Sequence, residues 1–362
     1  MLVERVKSMT VNEMERMFKT SLDYYFLKSD KHLGRNIGML CLGGSLAYGT
    51  NLPGKGDVDL RGFYFEDRSE IIGMTPNAGQ VVETNTDTTL YAFNRFVELI
   101  LSNNPNTIEQ LGCKPEHYFY KSDIAEEMIK NYKIFLSKRC IRSFGGYANQ
   151  QLNRLENAIA RDSLTQARKE EHIRLSLENA MAAFEDRYTQ FDSGSIILFT
   201  DKSAKENYDT EIFCDINLKH YPVRDLNSII NEFTNITRQY GKINHRNHKK
   251  DEEHLDKHAM HLIRLYYMAL DILEKCEINT YREKERDFLL EVRQGKFRKP
   301  DGTYSEDFFD FRKELNDRFD YASKHTDLPD EPDMKKVNEL VMWANEKIIR
   351  GDVNCQWLNK GL

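Results

Sequence analysis

Asp57, Asp59 and Arg61 stand at i, i+2 and i+4 in the run LCLGGSLAYGTNLPGKGDVDLRGFYF, residues 40–65. On a strand, side chains alternate between faces, so this spacing predicts that all three point the same way. Two carboxylates side by side repel, and such a pair is tolerated most easily when a cation sits between them. Ligation by oxygen alone suits hard Mg²⁺ or Mn²⁺ and not zinc. Upstream, Gly43 and Gly44 carry no Cβ to keep a ligand away, and a strand-to-turn passage offers backbone N–H groups to phosphate oxygens, with the Ser45 hydroxyl as a further donor. A phosphate cradle beside a dicarboxylate metal site implies a metal-bound nucleoside triphosphate.

The elements that must position these groups follow from the surrounding pattern. An apolar strand runs from near Ile37 through Met39–Leu42, Gly43-Gly44-Ser45 turn the chain, and a second strand carries Asp57, Asp59 and Arg61. Before them, Thr10 caps a helix expected to reach about Ser29, with Met14, Met17, Phe18, Leu22, Tyr25 and Phe26 recurring at spacings of three and four. After them, Pro76, Asn77 and Gly79 mark a loop, and VVETNTDTTLYAF, residues 81–93, is dense in β-branched residues and reads as one strand. An amphipathic helix over Asn94–Ser102 is ended by Asn103-Asn104-Pro105, and a short one begins at Thr107.

A Gly-Ser turn followed on the next strand by Asp-x-Asp resembles the nucleotidyltransferase signature of the DNA polymerase beta superfamily. More narrowly, GGSLAYGTNLPGKGDVDLRGFYF resembles the GSxAYG…SDxDxRG pattern of RlaP-type predicted nucleotidyltransferases, a family linked to RNA repair. Gly56 departs from it, standing where that family usually has Ser. The resemblance implies a third carboxylate on a neighbouring strand, for which Asp87 is the best candidate and Glu83, on the same face by alternation, the alternative. It extends through TLYAFNRFVELILSNNPNTIEQL, which puts Glu109 in the family's Asn-Pro…Glu position. A helix N-terminal acid would explain that residue equally well.

What the resemblance implies for fold is an α/β polymerase-beta-like nucleotidyltransferase domain, a small mixed sheet flanked by helices, over residues 1–115. A mainly α-helical domain with a short β-hairpin, residues 116–362, would complete the cleft for nucleotide and acceptor. What it implies for chemistry is transfer of a nucleoside monophosphate from an NTP to an acceptor hydroxyl, with an RNA 3′ end leading. Asp57, Asp59 and Asp87 would hold two Mg²⁺ or Mn²⁺ ions, and Gly44 and Ser45 the terminal phosphates. A protein or small-molecule acceptor, second-messenger synthesis, and a sensor that binds nucleotide without turnover are the rivals.

In the helical part, DEEHLDKHAMHLIRLYYMALDIL places Lys257, His261 and Arg264 at i, i+4 and i+7 on one helical stripe, with His254 a turn earlier. Beside them Leu262, Leu265, Ala269 and Ile272 form an apolar stripe. Cations so close to a core-facing stripe are costly unless an anion lies opposite; a triphosphate or the acceptor strand's phosphate fits that need, and an exposed polar face or a salt bridge to an acidic neighbour would explain the stripe as well. In the first case Arg61, Lys257 and Arg264 would neutralise charge as pyrophosphate leaves. The run also resembles the family's Lys…His-x-x-Arg-Leu pattern. Lys138 as a phosphate contact, Tyr147 as a stacking ring, and the basic tract GKINHRNHKK, residues 241–250, as an acceptor track are further candidates, each as readily a cap, a core ring or a solvated loop.

Helices are expected over Ser122–Phe135, Ser137–Ala160, Leu164–Thr189, Asp225–Tyr240, Glu252–Cys276, Glu283–Gln294, Ser305–Lys324 and Met334–Arg350. Two β-rich runs, Ser195–Thr200 and Glu211–Leu218, can pair as a hairpin, and residues 327–332 read as a linker.

With 362 residues and 40% hydrophobic content, the chain can bury a sizeable core and suits two domains. No run of about 18 apolar residues occurs and MLVERVKSMT lacks a signal-peptide core, which predicts a cytoplasmic protein with no membrane partner. The six cysteines are scattered singly, against a zinc site or a disulfide framework. A net charge of −6 means that any RNA contact must come from a local basic face.

Overall fold

The computed structural model describes residues 10–52, 58–162, 174, 195–202, 210–217, 227, 230–231, 234, 252–300 and 303–353. The chain divides into two compact units, one of Met1–Arg154, Asp256–Pro300 and Tyr304–Leu362, the other of Leu155–Leu255 and Asp301–Thr303. The C-terminal helices thus share a unit with the N-terminal sheet, whereas the sequence reading divides the chain once, at residue 115.

The first unit is built on a five-stranded mixed sheet of β1 (Ile37–Leu42), β2 (Leu60–Tyr64), β3 (Gln80–Glu83), β4 (Thr88–Ala92) and β5 (Tyr118–Lys121), in the order β3-β4-β2-β1-β5. Strand β1, IGMLCL, is buried along its whole length because it lies between β2 and β5 and is covered on both faces. It runs antiparallel to both neighbours, β3 pairs antiparallel to β4, and β2 and β4 are parallel.

Two readings of the strands are corrected. The run 81–93 is not one strand but β3 and β4, joined by a turn at Thr84–Asp87 in which the Asn85 N–H donates to Glu83 Oε1 at 3.2 Å. Asp87 has φ +43°, a left-handed conformation that Asp tolerates better than most residues and that a continuing strand forbids. The second correction is that β2 begins only at Leu60, so Asp59 precedes the strand and its facing does not follow from alternation.

The expected first helix is interrupted. Helix α1 (Val11–Thr20) carries the Thr10–Glu13 capping box and stops at Ser21, whose extended backbone opens a short 3₁₀ turn at Leu22–Tyr24 before α2 (Phe26–Ser29). Phe18 packs edge-on against Tyr24 and against Phe119 of β5, with ring centroids 4.9 and 4.7 Å apart. Helix α3 (Gly44–Tyr48) follows β1, and α4 (Arg68–Ile72) follows β2.

Helix α5 (Phe93–Leu101) buries Phe93, Phe96, Val97 and Ile100, and Phe63 of β2 meets the Phe93 and Phe96 rings at 5.5 and 5.1 Å. The N-terminal N–H groups of α5 are satisfied from outside the helix: buried Glu66 accepts from the N–H groups of Phe93 and Asn94 at 3.0 and 3.1 Å. Helix α6 (Pro105–Ile108) starts with Asn104 as its cap and leads into a 3₁₀ turn, Glu109–Gly112.

Beyond it lie α7 (Asp123–Lys130), α8 (Arg139–Asp162), α9 (Glu252–Lys275), α10 (Arg286–Arg293), α11 (Glu306–His325) and α12 (Met334–Arg350). The expected helix 122–135 breaks at Asn131, whose side chain bonds back to the Glu127 carbonyl at 2.9 Å, and continues as a 3₁₀ turn. The linker-like residues 327–332 are anchored: Asp330 pairs with Lys138 at 2.7 Å, and Glu331 with Arg139.

In the second unit, β6 (Ser195–Lys202) and β7 (Thr210–Asn217) pair as the expected antiparallel hairpin, with Phe199 opposite Phe213. The expected helices 164–189 and 225–240 fall almost entirely outside the described residues. Among the described residues no helix is long and apolar enough to cross a membrane.

Candidate active site

The sheet's register brings the chemical groups together. Because β2 and β4 are parallel and Leu60 pairs with Thr88, the residues just before them, Asp59 and Asp87, emerge side by side at one sheet end. Strand β1 is antiparallel to β2, and Leu42 pairs with Leu60, so the Gly43-Gly44 turn leaves the sheet at that same end. Backbone bonds hold the three segments there: the Gly43 N–H donates to the Asp59 carbonyl at 2.8 Å and the Leu60 N–H to the Asp87 carbonyl at 3.3 Å.

Arg61, the second residue of β2, reaches back to this end. Its Nη2 lies 3.0 Å from Asp87 Oδ1 and 3.8 Å from Asp59 Oδ1, and its Nη1 donates to the Leu60 carbonyl at 2.9 Å and also to the Asp87 carbonyl. The Asp59 side chain is 16% exposed and that of Asp87 58%, so one carboxylate is enclosed and the other faces solvent.

That asymmetry splits their proton affinities. Burial, and then the hydrogen bond to Asp87, push the Asp59 carboxyl up to about 8, against the opposing charges of Arg61 and Lys257. The bond from Asp59 holds Asp87 below the usual carboxylate range, helped by Arg61 and Lys257 and opposed by burial. Burial works against the charge of Arg61, but the two carboxylates outweigh it and raise the guanidinium. The pair therefore shares one proton near neutral pH, the behaviour of two facing carboxylates short of positive charge.

Asp57 and the neighbouring Gly56 lie outside the described residues, so the pair seen is Asp59 with Asp87. Among the described residues no group of three or more His, Cys, Asp or Glu side chains gathers as a metal site. The donor set nevertheless fits a hard divalent cation: two carboxylates from the residues just before two neighbouring strands converge, and one of them retains a proton where a cation would replace it. Glu83 sits on β3 and caps the Asn85 N–H, a structural role.

Gly44 has φ +59°, and a Cβ there would lie 1.5 Å from Asp59 Oδ2, so the turn and the carboxylate touch with no room for a side chain. Ser45 is buried in α3, and its carbonyl accepts from the Thr50 N–H at 2.9 Å. The short helix ends at Gly49, φ +75°, where a Cβ would strike the Tyr281 ring at 2.5 Å.

Three consecutive carbonyls at that end are satisfied by the segment 282–293. Tyr48 O accepts from the Arg282 N–H at 3.1 Å, Gly49 O from Arg286 Nε at 3.0 Å, and Thr50 O from Arg293 Nη1. Tyr48 O is met by a neutral backbone N–H, while the two guanidinium groups lie on the carbonyls just past the helix end, where positive charge is favoured by its dipole. None of these arginines is among the sequence candidates. The available signal was Arg286 and Arg293, seven apart on one face of α10.

Of the cationic stripe on α9, Lys257 is exposed, and its charge lowers both Asp59 and Asp87. Arg264 is directed elsewhere: its side chain is 5% exposed, its Nη1 donates to Glu109 Oε2 at 3.1 Å, and its guanidinium stacks 3.6 Å over the Tyr48 ring. The Tyr48 hydroxyl donates to Glu109 Oε1 at 2.8 Å, which closes a buried triangle. Arg264 Nε has no hydrogen-bond partner among the described residues.

His261 is partly buried edge-on to Tyr48, ring centroids 6.2 Å apart, and burial, followed by the charges of Arg264 and Lys257, holds it neutral. Glu109 is therefore an internal counter-charge at the start of its 3₁₀ turn, where the helix-start reading has it, and is not one of the Asp59–Asp87 pair. Lys138 pairs with Asp330, and the Tyr147 hydroxyl accepts from Asn104 Nδ2 at 3.2 Å. The His254 side chain and residues 241–250 lie outside the described residues.

Comparison with known proteins adds one match. Residues 14–173 match the model of the family described as RlaP, RNA repair pathway DNA polymerase beta family. No curated protein and no solved structure gives a significant match to the chain.

Proposed function

We propose, on the premise that the chain belongs through residues 14–173 to the RNA repair pathway DNA polymerase beta family, that it is a metal-dependent nucleotidyltransferase. It would transfer a nucleoside monophosphate from an NTP to an acceptor hydroxyl, and the family's description makes an RNA 3′ end the leading acceptor. The observation that carries this reading is the Asp59–Asp87 pair set against the Cβ-free turn at Gly44.

Asp59 and Asp87, joined by Asp57, are the residues that would hold Mg²⁺ or Mn²⁺, which when bound would neutralise the phosphates and acidify the acceptor hydroxyl. Gly44 and Ser45 would receive the terminal phosphates. Lys257 is the cation of the α9 stripe open to solvent, and with Arg61 it would balance charge as pyrophosphate leaves. The acceptor oxygen attacks the α-phosphorus, the bond from that phosphorus to the β-phosphate bridge breaks, and the hydroxyl proton passes to the more exposed carboxylate, Asp87. His261, neutral beside Tyr48, would line the nucleotide side of the site without adding charge.

Incubation with each α-labelled NTP, Mg²⁺ or Mn²⁺ and an RNA pool tests the reading. Labelled RNA with released pyrophosphate is the expected result, lost in Asp59→Asn. Label on protein alone would replace the RNA acceptor by a protein one. No label with any NTP, together with an Asp59→Asn variant that binds NTP as the wild type does, would overturn the enzyme reading.

A further inference from the structure

Glu109 touches neither Asp59 nor Asp87 in any contact recorded among the described residues, yet both its oxygens are engaged by groups that lead to the site. Oε1 accepts from Tyr48, the last residue of α3, whose first residue, Gly44, lies against the Asp59 carboxylate. Oε2 accepts from Arg264, seven residues along α9 from Lys257. Seven residues are close to two helical turns, so Arg264 and Lys257 share a face, and fixing one fixes the height and rotation of the other.

We propose that Glu109 is a positioning residue that fixes the α9 face carrying Lys257 relative to the Gly44 turn by clamping α3 and α9 to one buried carboxylate. The inference rests on the nucleotidyltransferase reading, since it concerns how the triphosphate is met. The triangle is closed, because the Arg264 guanidinium also lies on the Tyr48 ring at 3.6 Å; neither partner can shift without breaking a contact with the other. Arg264 and Glu109 are both nearly fully buried, so an ionic bond in a low-dielectric setting holds the distance, with little competition from water. Further bonds tie the Glu109 backbone to the same wall: its carbonyl accepts from the Thr280 hydroxyl, and the Gly112 carbonyl accepts from the Thr280 N–H at 3.2 Å.

The test measures binding on the full chain, with Mn²⁺ alone and with Mn²⁺ complexes of ATP, GTP, CTP and UTP, the tightest being carried forward. The proteins are wild type, Glu109→Gln, Tyr48→Phe, Lys257→Ala, and the two doubles pairing Lys257→Ala with each of the others. The expected result is Mn²⁺ affinity unchanged in Glu109→Gln, Mn·NTP affinity about tenfold weaker in Glu109→Gln and in Lys257→Ala, and no further loss in the double. Tyr48→Phe keeps the ring stack and removes one hydrogen bond, so it is expected to lose about threefold, again absorbed by Lys257→Ala. It carries the test if Glu109→Gln does not fold. Losses that multiply in the doubles, or an equal loss for Mn²⁺ alone, overturn the positioning role and assign Glu109 to structure only. A wild-type chain that binds Mn²⁺ and no NTP instead overturns the functional reading, and this inference with it.

Discussion

Arg61 Nη2 lies 3.0 Å from Asp87 Oδ1, across the parallel pair β2–β4 and from a residue two positions beyond Asp59. One guanidinium thus faces two carboxylates, and the charge left over is met by a proton on Asp59. This balance determines how the metal-free protein responds to pH, to mutation and to added cation.

Asp59 is raised to about 8 in the folded chain, against 3.8 for an aspartate free in water. Between those values the folded state holds a proton that the unfolded chain has released, so stability falls as pH rises through the window. Asp87 is lowered and titrates below it, leaving Asp59 to set the slope. The metal-free protein is expected to have a higher Tm at pH 6 than at pH 8.5, with the gap narrowed by Mn²⁺ and abolished in Asp59→Asn. A Tm that rises with pH over this range would contradict the shared proton.

Arg61→Gln keeps a polar side chain and removes the cation between the carboxylates. Two effects are expected: a larger fall in Tm between pH 6 and 8.5, since only the proton then opposes repulsion, and a loss of transfer rate of roughly 10²-fold. The first is read by calorimetry and is independent of the acceptor.

Gly44→Ala forces a Cβ into the Asp59 carboxylate at a residue with φ +59°. The strain is expected to cost about 1–3 kcal/mol in urea denaturation and to abolish Mn²⁺ binding to the carboxylate pair. Gly79→Ala, also at positive φ but with open space around it, is the control that should bind Mn²⁺ normally.

Arg264→Met strands Glu109 as an unpaired buried charge and should cost about 3–5 kcal/mol of stability by denaturant titration. Adding Glu109→Gln to it removes that charge and should recover a large part of the loss. A double variant as unstable as the sum of the two singles would show that Glu109 and Arg264 do not act as a pair.

The apolar strand before Gly43, the apolar helix after β4, the hairpin at 195–217 and the last four helices were all readable from periodicity and caps, because those signals lie within a few residues of one another; the short helix Gly44–Tyr48, expected as a turn and an irregular segment, was not. The break at Ser21 and the splitting of 81–93 were not, since each depends on packing or a turn that β-branched composition conceals. Arg264 shows the same limit at a single side chain. Its place on the Lys257 stripe was legible, but which anion it meets depended on Glu109, 155 residues away.

By itself the sequence determined the inventory: two glycines and a serine after an apolar strand, acids at 57, 59 and 87, and cations at 61, 257 and 264, the types and spacings on which the proposed phosphate and metal chemistry rests. Only the tertiary structure decided which of these meet. Asp59 and Asp87 are neighbours because parallel pairing aligns the starts of β2 and β4, and Arg264 faces inward because Glu109 is buried opposite it. Register and burial arise from contacts between segments distant in the chain, so no local pattern encodes them.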